Sequence, residues 1–294
     1  MMKYPIKNIV FLSLILVLFA VCKSPYSSET KPIGAEIPEE IPEDTPGDTP
    51  GVSYTITYLN MEAAANHSSN PGTYTSQSQA ITLGSPVKAN VYFVCWRLNT
   101  STGAPVSSIP AESTGNKTFF AQWTTEEEFN VIAETNRVRT DPNGYANMLQ
   151  AELSGISATD IRNQYEAAIA TLNSAVTRNP LNFERGLYFA ARAHAEDLIK
   201  SNTASHNSSD GTEFSQRIKL FGTSYTSVGE NLAGGTNQNT GSKMVKQWVL
   251  SPGHLDNILH ANFTQLGASL MSGHPTYTWV SVQVFGRNFV SNQF

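Results

Sequence analysis

Between Thr124 and Thr125 the spacing of apolar residues changes from a period of two to a period near four, which bounds what the chain can fold into. Upstream, "YTITYL" (54–59) and "TFFAQW" (118–123) alternate, and "VYFVCW" (91–96) is a continuous apolar run. All three are rich in β-branched and aromatic residues, and Asn, Ser, Gly and Pro clusters between them read as turns. Downstream, "TEEE" (125–128) is a capping box, with Thr125 accepting at the N-cap and Glu128 reaching back. Phe129, Ile132, Ala133 and Asn136 then recur at helical spacing. Residues 53–124 are therefore expected to form a small β-rich domain, and residues 125–294 an α+β domain able to fold alone.

Within the second region, "DPNG" (141–144) reads as a turn and helix restart, since Pro142 suits a first helical position. Further helices are expected around 158–176 and 241–250. In "FERGLYFAARAHAEDLIK" (183–200), Leu187, Ala190, Ala191, His194 and Leu198 share one face. "QLGASLM" and "YTWVSVQVFGRNF" read as late strands. Helices segregated from a late antiparallel sheet point to layered α+β architecture.

The chain begins with Lys3 and Lys7 ahead of "IVFLSLILVLFAV" (9–21), an apolar run too short for a comfortable membrane span and ending at Cys22. Residues 1–22 read as an export signal. "LFAVC" resembles a bacterial lipobox, which implies lipidation of Cys22 and a membrane partner through that anchor. It departs from the usual form at Leu18, Phe19 and Val21, so an ordinary cleaved signal or an uncleaved anchor stays open. Residues 23–52 combine frequent proline with acids, a semi-rigid tether. Seven acids stand against two lysines between Cys22 and Gly51, whereas 17 acids and 15 bases follow from Val52 onward. The folded part has no basic footprint, so nucleic acid is excluded as a partner. Cys22 and Cys95 are the only cysteines, too few for a disulfide framework, and Cys95 reads as a small buried hydrophobe.

Two resemblances follow. "YTITYLN", "FVCWRLNTSTG" and "STGNKTFFAQWT" resemble one copy of the Listeria–Bacteroides repeat of bacterial surface proteins, with Cys95 where that family usually has Gly. This implies a β-grasp-like fold and a spacer or adhesive role for residues 53–124. "NRVRTDPNGYA", "LYFAARAHAEDL", "SHNSSDGTEFSQRI", "VGENLAGG", "QWVLSPGHLDNIL", "NFTQLGASL" and "WVSVQVFG" resemble, in order, the bacterial branch of the CAP superfamily of cysteine-rich secretory, antigen 5 and pathogenesis-related proteins. That resemblance implies an α-β-α sandwich over residues 125–294, with a cleft lined by histidines and acids.

Carried over by residue, His206 of "SHN" matches a cleft histidine and Glu230 of "GEN" an acid. A second acid would fall near Ser251 and a second histidine near Val280, and neither is present. His254 of "SPGH" is the replacement, so Glu230 is expected to face His206 and His254. Two imidazoles and a carboxylate would make a three-ligand zinc site with water in the fourth position. Without metal the same trio is a hydrogen-bonded cluster in which the acid keeps a histidine protonated. Of the other histidines, His194 is expected in the core and His67, His260 and His274 at the surface. Asp210 reads as a turn former and Arg217 as a clamp on its loop through a carboxylate. No Gly-x-Ser-x-Gly elbow or His-Glu-x-x-His helix occurs. A paired-carboxylate mechanism would need Glu213 or Asp256 beside Glu230. The expected function is binding of an extracellular lipid, glycan or peptide. A metal-assisted hydrolase using the same cleft, and an adhesin acting through residues 53–124, are the alternatives.

Overall fold

The computed structural model describes residues 51–292, all within the unit Pro50–Phe294. The export signal, Cys22 and all but the last two residues of the tether lie outside the described residues.

The β-rich region contains β1 (Ser53–Leu59), β2 (Thr73–Thr75), β3 (Ile81–Thr82), β4 (Phe93–Leu98), β5 (Pro105–Val106), β6 (Ser108–Ile109) and β7 (Lys117–Trp123). Five of them form a sheet in the order β2-β1-β7-β4-β5, and β3 pairs with β6. β1 runs parallel to β7, with Ile56 opposite Lys117 and Leu59 opposite Phe120, whereas β4 is antiparallel to β7. Alternation sends one face inward: Ile56, Phe119 and Ala121 enter a core with Tyr74, Trp96 and Ile109. Trp96 keeps its indole N–H satisfied by donating to the Gly84 carbonyl at 3.0 Å.

Beyond Trp123 come α1 (Glu126–Thr140), α2 (Pro142–Leu153), α3 (Thr159–Ser174), β8 (Asn182–Phe183) and α4 (Arg185–Ser201). Then follow α5 (Phe214–Arg217), β9 (Gly222–Ser224), β10 (Ser227–Gly235), α6 (Gly241–Val249), α7 (Pro252–Leu259), β11 (Gln265–His274), β12 (Thr278–Arg287) and β13 (Val290–Ser291). The Thr125–Glu128 capping box starts α1, and the Asp141 side chain accepts from the Gly144 N–H to start α2. The main sheet has the order β10-β12-β11-β8, antiparallel except where β8 joins β11. The segment 227–235 is thus itself a strand of this sheet. Leu266, Ala268, Leu270 and Phe285 enter the core built with α1, α2, α3, α6 and α7. Val280, Val282 and Val284 pack with α4 instead. A Cβ at Gly267 would lie 2.0 Å from the Tyr188 amide nitrogen, so glycine lets α4 rest directly on β11.

The two regions meet in a buried contact. Val94 and Cys95 of β4 pack on Tyr188 of α4 with Phe183 and Phe189 beside them. Tyr92 stacks on Phe183 at 4.5 Å between centroids, and Tyr92 and Thr124 exchange two hydrogen bonds. Burial pushes the Cys95 thiol pKa up, in keeping with a small apolar residue. No helix among the described residues is long and apolar enough to cross a membrane.

Candidate functional site

The period of β10 places Glu230 and Leu232 on the α4 side of the sheet and Asn231 on the opposite side. Glu230 is buried, and both of its oxygens are engaged. Oε1 is 2.9 Å from His206 Nδ1, and Oε2 accepts from Arg217 Nη2 at 2.6 Å. The other end of the Arg217 guanidinium donates to the His206 carbonyl at 2.9 Å and to Ser208 Oγ at 3.1 Å. Arg217 is therefore the clamp expected from sequence, reaching the loop and the acid at once. Gly229 serves packing: a Cβ there would lie 2.8 Å from the Phe263 ring.

Two buried histidines hold the loop that carries His206. His194 Nε2 lies 2.8 Å from the Ser205 carbonyl and 4.0 Å from Glu230 Oε1. Burial pushes its pKa below the usual imidazole value, so it is neutral and donates through Nε2. His274 corrects the expectation of a surface residue, being 2 % exposed. Its Nε2 bonds the Thr203 carbonyl at 3.0 Å while Nδ1 accepts from the backbone N–H groups of Thr276 and Tyr277. The cause is a bulge between Ser272 and His274, which shifts the alternation and turns His274 inward. His67 and His260 are exposed, and Asp210 accepts from the Thr212 N–H as a turn former.

His254 stands near the start of α7, and that helix is tied to β10 by side chains the sequence reading did not single out. Asn231 donates to the His254 carbonyl at 3.1 Å and to Gln283 Oε1 at 3.2 Å. Asn257 donates to Asn231 Oδ1 at 2.9 Å and to the Glu230 carbonyl at 3.2 Å. The signal was present in "GEN": on a strand, the neighbour of a buried acid faces the opposite layer.

His206 and His254 share the walls of one cavity of about 350 Å³, floored by Leu198, Leu232 and Val280 and edged by Gln247 and Tyr277. Burial and the nearby His206 lower the His254 pKa. Glu230 does not line the cavity, because it is bound beneath His206. Among the described residues no group of three His, Cys, Asp or Glu side chains is placed to hold a metal. The three-ligand arrangement of His206, Glu230 and His254 is not assembled: a guanidinium occupies one carboxylate oxygen and an imidazole the other. The residues present do not fit zinc in this arrangement. Glu230 pairs with the Arg217 guanidinium and lies beside the His206 and His194 rings, and none of its hydrogen bonds involves Glu213 or Asp256. No serine, threonine or cysteine side chain among the described residues bonds the His206 ring.

This fold and site define an α+β domain with a histidine-walled cavity above a buried glutamate–arginine pair. Residues 159–285 match the family model described as CAP, the Cysteine-rich secretory protein family, and that stretch is a CAP domain. The Bacillus subtilis (strain 168) protein YkwD is 31% identical over 174 residues, which are 58% of this chain and 60% of the relative. The chain thus spans less than two thirds of that relative's length. Among solved structures, an outer surface protein from Borrelia burgdorferi is 23% identical, with a TM-score of 0.35, covering 45% of this chain and 96% of its own. An extracellular protein containing a SCP domain from Bacillus anthracis str. Ames is 24% identical, with a TM-score of 0.33, covering 42% of this chain and 38% of its own.

Proposed function

We propose that the cavity between His206 and His254 binds an amphipathic ligand outside the cytoplasm, an apolar chain ending in a hydroxyl or amide. One observation carries this reading: the same cavity has an aliphatic floor and histidine and glutamine side chains at its walls. Ligand sites of about 300–1,000 Å³ commonly combine these two kinds of lining. Apolar burial, at about 25 cal/mol per Å², would supply most of the affinity and the polar groups the orientation.

The polar groups favour a head that donates. His206 Nδ1 donates to the Glu230 carboxylate, so in the neutral ring Nε2 is an acceptor. Gln247 donates to the Gly234 carbonyl at 3.2 Å, and its Oε1 is buried without a partner among the described residues. Two acceptors suit a hydroxyl or an amide N–H and disfavour a carboxylate. The wider reading places this domain at the end of a sandwich-fold surface protein, lipidated at Cys22 and held off the membrane by the tether. Residues 53–124 act in it as a spacer of the Listeria–Bacteroides kind. The apolar run ending at Cys22 and the proline-rich acidic stretch after it support that placement. The family's description as secretory is consistent with it.

Titration with an environment-sensitive fluorescent fatty alcohol tests the site. Saturable binding is expected, weakened several-fold in Tyr277→Ala and in Gln247→Ala. No saturable binding, or the same affinity in all three proteins, would sink the proposal.

A further inference from the structure

A second cavity, of about 250 Å³, shares no lining residue with the first. It lies where Arg139, near the end of α1, meets residues 177–180 and 261–264. Its polar lining residues, Arg139, Arg178, Thr177, Thr264 and Asn179, can all donate hydrogen bonds. No aspartate or glutamate lines it.

Arg139 is 2 % exposed. Its Nε donates to the Asn179 carbonyl, its Nη1 to the carbonyls of Ile258 and His260, and its Nη2 to the Phe263 carbonyl, at 2.6–3.2 Å. The carbonyls of Ile258 and His260 lie at the C-terminal end of α7, where the helix dipole carries partial negative charge. These bonds satisfy donors but supply no full counter-charge, and neither arginine has an ion pair among the described residues.

Arg178 increases the imbalance. Its backbone N–H donates to the Arg139 carbonyl at 2.8 Å, which fixes the two residues together. Its Nε is buried and has no hydrogen-bond partner. A buried donor left unmade costs about 1–3 kcal/mol, more when it is charged. Desolvation and the charge of Arg178 together lower the Arg139 pKa from 12.5 to about 10. Water reaches the exposed part of Arg178, but it brings no negative charge into the cavity.

We propose that this cavity is an oxyanion site that takes a phosphate group, with Arg178 as its direct ligand and Arg139 as the buried countercharge. A guanidinium fork suits carboxylate and phosphate alike. The two hydroxyls and the amide beside it exceed what a planar carboxylate can use, and a tetrahedral anion presents more oxygens to them. At about 30 Å³ of liquid volume per water, the cavity equals roughly eight waters, room for the anion and part of the group bearing it. Bound there, the anion would lie beside Arg178 and neutralise charge that no side chain among the described residues neutralises.

The full chain, prepared in phosphate-free buffer, is titrated calorimetrically with inorganic phosphate at constant ionic strength, with sodium chloride as the matched reference. Saturable binding is expected, together with a rise in Tm that chloride does not produce. Arg178→Gln should weaken the Kd at least about tenfold, as expected for losing a charge-assisted bond. Lys219→Gln, which removes an exposed cation elsewhere, should bind like the wild type. Competition then separates two sources of phosphate. If phosphatidylglycerol vesicles abolish the titration and phosphatidylcholine vesicles do not, the group is lipid-borne; if neither does, it is soluble. No saturable phosphate binding, or unchanged binding in Arg178→Gln, overturns the site, and neither result bears on the cavity at His206.

Discussion

Arg217 and Arg139 are both at least nineteen-twentieths buried in one domain, and the domain treats them in opposite ways. Arg217 meets the carboxylate of Glu230, so charge closes on charge within the fold. Arg139 meets four carbonyls, so its hydrogen bonds are largely made while its charge is left over. Hydrogen bonding and charge neutralisation are thus separate requirements. A region can meet the first completely enough to be rigid and still call for an ion from outside. Where both are met, the pair becomes scaffold and orients its neighbours, as Glu230 and Arg217 orient His206.

The contrast is broken most sharply at the closed pair. Glu230→Ala leaves Arg217 buried without its partner and should cost about 3–5 kcal/mol in denaturant unfolding, with Glu230→Gln milder because one acceptor survives. A loss below about 1 kcal/mol would mean that water or loop movement already compensates Arg217. Arg139→Met comes next, at roughly 2–4 kcal/mol, because the carbonyls at the end of α7 lose their donor while an unpaired charge is removed at the same time. If this variant is more costly than Glu230→Ala, charge is not what distinguishes the two arginines.

A third difference is in pH response. The folded pKa of His194 is depressed by burial, below the unfolded value of 6.5. Its contribution to stability is full above that unfolded value. It is lost as pH falls from there towards the folded value, since the unfolded chain takes up a proton the folded one refuses. The slope should reach up to about 1.4 kcal/mol per pH unit below about pH 6.5. Glu128 acts in the other sense: burial raises its pKa, so the folded state gains relative stability as pH drops through that raised value towards 4.5. Comparing the slopes of wild type and His194→Gln isolates the histidine, and identical slopes would show that His194 does not titrate on unfolding. The smallest effect belongs to Arg178→Gln without phosphate, which should be neutral to stabilising by up to about 1 kcal/mol in chemical denaturation, because it removes a buried donor without a partner. A clear destabilisation there would make Arg178 a structural residue.

Much of the local structure was legible because it is periodic or capped by near neighbours. The Thr125–Glu128 box, Pro142 at the start of α2 and the apolar face of α4 each depend on residues within a turn or two. His206 and Glu230 could be paired through the resemblance of their flanking segments, although 24 residues separate them. The missing parts are those set by tertiary geometry. One inserted residue at the β11 bulge moved His274 from the surface to the core, which alternation alone cannot anticipate. Three of the four Arg139 acceptors are carbonyls 119 to 124 residues away, and backbone acceptors leave no trace in side-chain identity. His254 lines the cavity with His206, but the ligand set expected of His206, Glu230 and His254 is not assembled, because Arg217 and His206 hold the two oxygens of Glu230.

The parallel pairing of β1 with β7 has a mechanical consequence. In a parallel pair the incoming end of the first strand and the outgoing end of the second lie at opposite ends of the ladder. A pull on Ser53 against Thr124 therefore drags the strands lengthwise past each other and loads the hydrogen bonds between Ile56–Leu59 and Lys117–Phe120 together. An antiparallel hairpin such as β1–β2, pulled from Ser53 against Thr75, would instead open one bond at a time. The parallel pair therefore resists tension applied between Ser53 and Thr124 better than the hairpin resists tension applied between its own ends.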